Sequence, residues 1–261
     1  MVGCATPNTL SRTILEDNYN AVRLETRLDA SRKPVPLGFE QPAQIGEEEM
    51  TRLLQSVQIV EPPGFLSALI LKSKPEPEPA FTSKEAESLA KPLAAALRTA
   101  TPDERVIFFF HHQRSVYKGT TTSGVAFVKD KRLQIILGRY QQGTQPGKPD
   151  ILIGGDPFPD SNSQDFYVQP GPFQSLVEET QAPGSRGSVV PKRWLSIDYA
   201  SLLTAPPPAA TPAAPAVSPS TATPAAPTLE EKLRTLNKLK EDGLITEEEY
   251  TEKRKELLKS F

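Results

Sequence analysis

The sequence predicts an α+β protein: an antiparallel sheet with helices on one face, then a Pro/Ala-rich linker and a small C-terminal helical hairpin. Three observations predict it. The apolar period is helical over 45–57 and 82–100 and changes to two between 105 and 140. Residues 204–227 hold 8 Pro and 9 Ala and no charge. The segment 228–261 carries mutually consistent helix caps around a single glycine. The predicted organisation is a tether at 1–19, a globular domain at 20–203, the linker at 204–227 and the hairpin at 228–261.

NAVRLETRL (20–28) alternates apolar and polar residues, as a half-buried strand should. IGEEEMTRLLQSV (45–57) sets Met50, Leu53, Leu54 and Val57 on one helical face behind an acidic first turn. FLSALILKS (65–73) reads as a strand, and the Pro-rich KSKPEPEPAF after it as a surface loop of the larger domain. TSKEAESLAKPLAAALRTA (82–100) opens with Thr82 and Glu85 at capping-box spacing and predicts a helix kinked at Pro92. RVIFFFHHQRSVY (105–117), GVAFV (124–128) and LQIILGRY (133–140), with a turn at Asp130–Lys131, predict a three-strand meander. The run VIFFF would be an aggregation hazard if exposed, so both faces of its strand must be covered. VVPKRWLSIDY (189–199) offers one more strand.

Composition excludes several classes. The 261 residues carry a formal charge of −2 with no basic block, so nucleic-acid capture has no support. No apolar run approaches the ~20 residues of a helical membrane span. A single cysteine excludes an intramolecular disulfide and a multi-cysteine zinc site. The linker lacks backbone donors at its prolines and builds neither helix nor ladder; it spans roughly 27 Å as coil and about 75 Å as polyproline II.

The tail TLEEKLRTLNKLKEDGLITEEEYTEKRKELLKSF reads as helix, turn, helix. Leu229, Leu233, Leu236 and Leu239 stripe the first helix, and Gly243 stands where a left-handed residue ends it. Thr246 and Glu249 form a capping box for the second helix, and Ile245 and Tyr250 are placed for a hydrophobic staple. Leu257, Leu258 and Phe261 continue its apolar face. In the order L-x-x-L-x-x-x-G-x-I-T-x-x-E-Y-x-x-K-x-x-x-L-L, residues Leu236 to Leu258, including Lys253, the tail resembles the SHOCT (short C-terminal) family. The resemblance implies an oligomerisation or interaction module without catalytic activity, with this chain itself or another helical protein as partner. It implies nothing about residues 1–203.

At the other end, Val2-Gly3-Cys4 resembles the close of a bacterial lipoprotein signal, with Met1 where an aliphatic residue usually stands. That resemblance implies cleavage before Cys4, a lipid on its thiol, and a basic and apolar segment upstream of Met1. The polar ATPNTLSRT behind Cys4 would tether the domain, and Ala5 after it resembles proteins sorted to the outer membrane. The alternative is a cytoplasmic protein that carries Cys4 by chance.

No catalytic set emerges. His111 and His112 are strand neighbours and point to opposite faces, so they cannot chelate one metal together; satisfied polar positions at the end of a buried strand are the expectation. Ser115 and Ser123 lack a G-x-S-x-G turn. Asp156, Asp160, Asn162 and Asp165 offer oxygen ligands without calcium-loop spacing. Gly119-TTTS-Gly124 lacks the lysine and helix of a phosphate loop and reads as a hairpin loop between strands. No metal or cofactor is expected. The resulting reading is an envelope lipoprotein of interaction or scaffold type. Its rival is a small-ligand or peptide-binding domain that the tail assembles; a hydrolase lacks its residues.

Overall fold

The structure, a computed structural model, describes residues 9–17, 20–62, 75–115, 118–144, 156–158, 165–179, 183, 189–205, 237 and 250. The chain divides into two compact units, Met1–Glu61 with Pro77–Pro206, and Pro62–Glu76 with Pro207–Phe261. The first unit is the α+β domain. Pro62–Glu76, expected inside the larger domain, falls with the second unit, and the strand expected at 65–73 lies outside the described residues.

In chain order the strands are β1 (Thr9–Glu16), β2 (Asn20–Arg27), β3 (Gln58–Val60), β4 (Glu78–Pro79) and β5 (Glu104–Ser115). They continue with β6 (Lys118–Lys129), β7 (Arg132–Thr144), β8 (Tyr167–Gln169), β9 (Gln174–Leu176) and β10 (Trp194–Ile197). The helices are α1 (Glu47–Gln55), α2 (Ser83–Thr99) and α3 (Tyr199–Thr204). Seven strands form one antiparallel sheet in the order β1-β2-β5-β6-β7-β10-β9, and β4-β3-β8 form a smaller one.

Local chemistry sets the helix starts. Thr82 Oγ1 accepts from Glu85 N–H at 3.3 Å and Glu85 Oε2 from Thr82 N–H at 2.7 Å, the predicted capping box of α2. Glu49 Oε2 likewise accepts from Gly46 N–H at 2.6 Å at the head of α1. Pro92 stands within α2, which continues as one element to Thr99.

Both faces of the large sheet are covered, as the VIFFF run requires. Val106 and Phe108 join the larger core under the helices, with Met50, Leu53, Leu54, Leu89 and Leu93. Ile107 and Phe109 join a second core, where Phe39, Phe158 and Val189 come from connecting segments instead of helices. Phe39 stacks on Phe127 at 4.3 Å, and Trp194 meets Phe127 edge-on at 5.9 Å. The helices therefore sit on one face only.

Three expectations need correction. The segment 1–19, read as a tether, contains β1, an edge strand paired with β2 from Thr9↔Arg27 to Glu16↔Ala21. Its outer positions face water, so TLSRTILE looks polar although it is in the sheet. TTTS is not a hairpin loop: Thr120 to Ser123 lie inside β6, where β-branched threonines pair with β5 and β7. The last strand shrinks from 189–199 to Trp194–Ile197, because Asp198 caps α3 by accepting from Ser201 N–H at 3.1 Å.

Candidate functional site

The hairpin is where the sequence placed function. Within it the structure describes Asn237 and Tyr250, both helical. Tyr250 Oη donates to Asn237 Oδ1 at 2.7 Å, a bond across 13 positions of chain. The bond joins the two segments that the sequence reads as successive helices. Tyr250 was expected as an apolar staple with Ile245, which lies outside the described residues; the Tyr250 hydroxyl makes a polar clasp. Sequence reasoning missed Asn237, because a lone amide between two leucines carries no periodic signal. The other predicted residues (Leu229, Leu233, Leu236, Leu239, Gly243, Ile245, Thr246, Glu249, Leu257, Leu258, Phe261) lie outside the described residues, as does Cys4.

In the α+β domain, His111, Ser123 and Asp156 are engaged in holding the fold, and the side chains of His112 and Ser115 lie outside the described residues. His111 is half-buried, with Nδ1 3.1 Å from Thr121 Oγ1 on the neighbouring strand. Ser123 is fully buried and donates to the carbonyl of Pro157 at 2.7 Å, which also accepts from Arg139 Nη1 at 3.1 Å. That hydroxyl is a buckle for the 156–158 segment, not a nucleophile beside a base. Asp156 turns back on its own segment, accepting from Phe158 N–H at 3.0 Å. Asp160 and Asn162 lie outside the described residues. Among the described residues, no group of three His, Cys, Asp or Glu could hold a metal ion.

The buried charge that sequence reasoning could not see is Arg193, 1% exposed. Its guanidinium lies 3.8 Å from the centre of the Phe166 ring and donates to the carbonyls of Phe166 and Gly138 at 3.3 and 3.2 Å. Burial lowers its pKa to about 10, so it remains cationic at neutral pH. A second buried cation, Arg105, pairs with Glu25 through Nη2 at 2.5 Å and Nε at 3.1 Å. Glu104 is pulled both ways. Burial raises its pKa, but the Arg12 guanidinium at 2.9 Å and the Thr101 N–H at 2.8 Å outweigh it and hold the carboxyl below its ordinary range. Burial raises Tyr140. The two arginines and Glu104 fasten strands and loops.

No curated protein and no solved structure matches the chain. Residues 231–258 match the family model of the Short C-terminal domain, SHOCT. The C-terminal tail, with its Tyr250–Asn237 clasp, is thus a SHOCT domain.

Proposed function

We propose that this protein is a bacterial envelope lipoprotein of interaction or scaffold type. The α+β domain is the body, and the SHOCT hairpin binds another copy of itself or a partner's helix. The observation that carries this reading is the family match over residues 231–258. A physical argument supports it. Thirty-odd residues bury too little apolar surface to stand alone without a metal, a disulfide or a partner. The tail nonetheless offers Leu229, Leu233, Leu236, Leu239, Leu257, Leu258 and Phe261, more apolar surface than two short helices hide from each other. Membrane attachment rests on Val2-Gly3-Cys4, whose thiol would carry the lipid.

Sedimentation of the full chain, its L236D/L239D variant and a chain ending at Ala205 tests the interaction. Concentration-dependent association in the parent, absent from the other two, is the expected result. A monomeric parent that also captures no helical partner would remove the claim. Mass spectrometry of the protein processed in a bacterial host tests the anchor: an unmodified Cys4 thiol would refute it.

A further inference from the structure

The register brings one end of the large sheet together from distant sequence. At that end β1 begins (Thr9↔Arg27), β6 turns into β7 (Lys129↔Arg132), and β10 and β9 meet at Ile197↔Gln174. The two large apolar side chains most exposed among the described residues stand at its two corners. Leu10 on edge strand β1 is 55% exposed, and Phe173, just ahead of edge strand β9, is 47% exposed. Seven strands separate the corners by about 29 Å.

Basic turns lie between them. Arg32 and Lys33 follow β2, Lys131 is the β6–β7 turn, and Arg98 is in the last turn of α2; all four are exposed. The neighbouring carboxylates of Asp29, Glu40 and Asp103 are bonded back to backbone N–H groups of Lys33, Lys131 and Leu37. Backbone conformation marks the same end. Six non-glycine described residues have left-handed φ, and four of them are here: Arg32 (61°), Asp130 (53°), Lys131 (56°) and Phe173 (61°). Glycine or asparagine would adopt that conformation more cheaply, most of all in place of the bulky Phe173. Two cations and an aromatic, beside the exposed carboxylate of Asp130, are kept at positions where they cost stability, which points to use of the side chains themselves.

We propose that this end of the sheet docks on an anionic lipid surface, with Leu10 and Phe173 entering the headgroup layer and Arg32, Lys33 and Lys131 meeting lipid phosphates. The proposal deepens the lipid-anchor reading and rests partly on it. Only Ala5 to Asn8 separate Cys4 from Thr9, so a lipid on Cys4 would hold this end within about 17 Å of the membrane. The opposite end, with the β5–β6 turn, would face away.

The chain supplies its own probes. Cys4 is the only cysteine, so coupling to maleimide-headgroup lipid fixes the full chain to vesicles whether or not a cell acylates it. Trp194 is the only tryptophan and is 2% exposed, so F173W adds one exposed reporter. The vesicles contain brominated phosphatidylcholine, with or without about one third phosphatidylglycerol. Bromine should quench the F173W emission on the anionic vesicles. Quenching should fall at least twofold when salt rises from about 0.05 to about 0.5 M, which cuts the screening length about threefold. It should fall equally in R32E/K33E/K131E, whose changes are all at exposed turns. An unquenched reporter at low salt, or quenching equal with and without phosphatidylglycerol, would overturn the proposal. A free Cys4 in the mature cellular protein would overturn the anchor reading without touching this result.

Discussion

Gly138→Ala should strip the second face of the sheet of part of its cover. A Cβ built on Gly138 falls well inside contact distance of the Pro157 carbonyl oxygen, 2.8 Å from the Pro157 carbonyl carbon and 3.1 Å from Phe158 Cδ1. Two of those atoms are backbone, so the 156–158 segment must retreat. Retreat breaks the bonds that Ser123 Oγ (2.7 Å) and Arg139 Nη1 (3.1 Å) make to that carbonyl and lifts Phe158, now 6% exposed, from its core. The two bonds contribute about 1 kcal/mol each, the charged one somewhat more. Partial exposure of the ring costs about another 1 kcal/mol. The sum, about 3 kcal/mol, corresponds to a Tm lowered by roughly 6–12 °C in a domain of this size. Urea unfolding and a thermal melt measure it. Gly143→Ala is the control on the same strand: its Cβ would meet nothing within 4 Å, so its stability should change by less than about 0.5 kcal/mol. If Gly138→Ala unfolds within about 1 kcal/mol of the parent, the close approach is not tight and the reasoning fails.

Glu104→Gln should cost about 1 kcal/mol at pH 7, a figure kept small because Arg12 is 48% exposed and solvent screens the pair. The folded carboxyl titrates below its ordinary range, so its contribution is complete above the unfolded pKa and is lost as pH falls through the folded one. The gap between parent and variant should therefore close in urea melts at low pH; an equal gap at pH 7 and at about pH 3 would contradict the assignment. Ending the chain after Ala205 should leave the midpoint of the α+β unit within a few degrees. That cut keeps α3 and the carbonyls of Leu203 and Ala205, to which Arg52 donates at 3.0 and 3.2 Å. A loss of many degrees would show that the domain needs the tail.

Much of this fold was legible in the sequence, and the gaps have physical causes. α1 announces itself through its apolar face and acidic first turn, α2 through its capping box, and the β5–β7 meander through the runs 105–117, 124–128 and 133–140. The first half of β6 was missed because its threonines lack an apolar period. β1 escaped because an edge strand with four exposed positions in succession has no buried face to advertise. β8 and β9 are three residues each, too short for any period, and Pro170 and Gly171 between them signal only a turn. Arg193 would be placed at the surface by any composition argument, and only the carbonyls of Gly138 and Phe166 explain its burial. At the candidate site, both Asn237 and Tyr250 were legible as helix residues, but the hydrogen bond between them was not, since a pairing across 13 positions leaves no periodic signal.

The sheet register also sets the order in which the domain can assemble. Within the meander, Val125 pairs with Ile136 and Ile107 with Val125, partners 11 and 18 positions apart. Its flanks close over far longer distances: Leu195 finds Ile135 60 positions away, and Val22 finds Phe108 86 positions away. Loop-closure entropy grows with length, so hairpins β5–β6 and β6–β7 are the cheapest contacts to form first. They present a ready template on both sides, to which β2 with β1 and β10 with β9 add as the slow steps. During synthesis this means that β2 leaves the ribosome with β1 made but its inner partner β5 still unmade, and the sheet cannot close until Trp194–Ile197 has emerged. The nascent domain therefore spends its most vulnerable interval with the VIFFF strand formed but uncovered on one side, and a chaperone has most to protect in that interval.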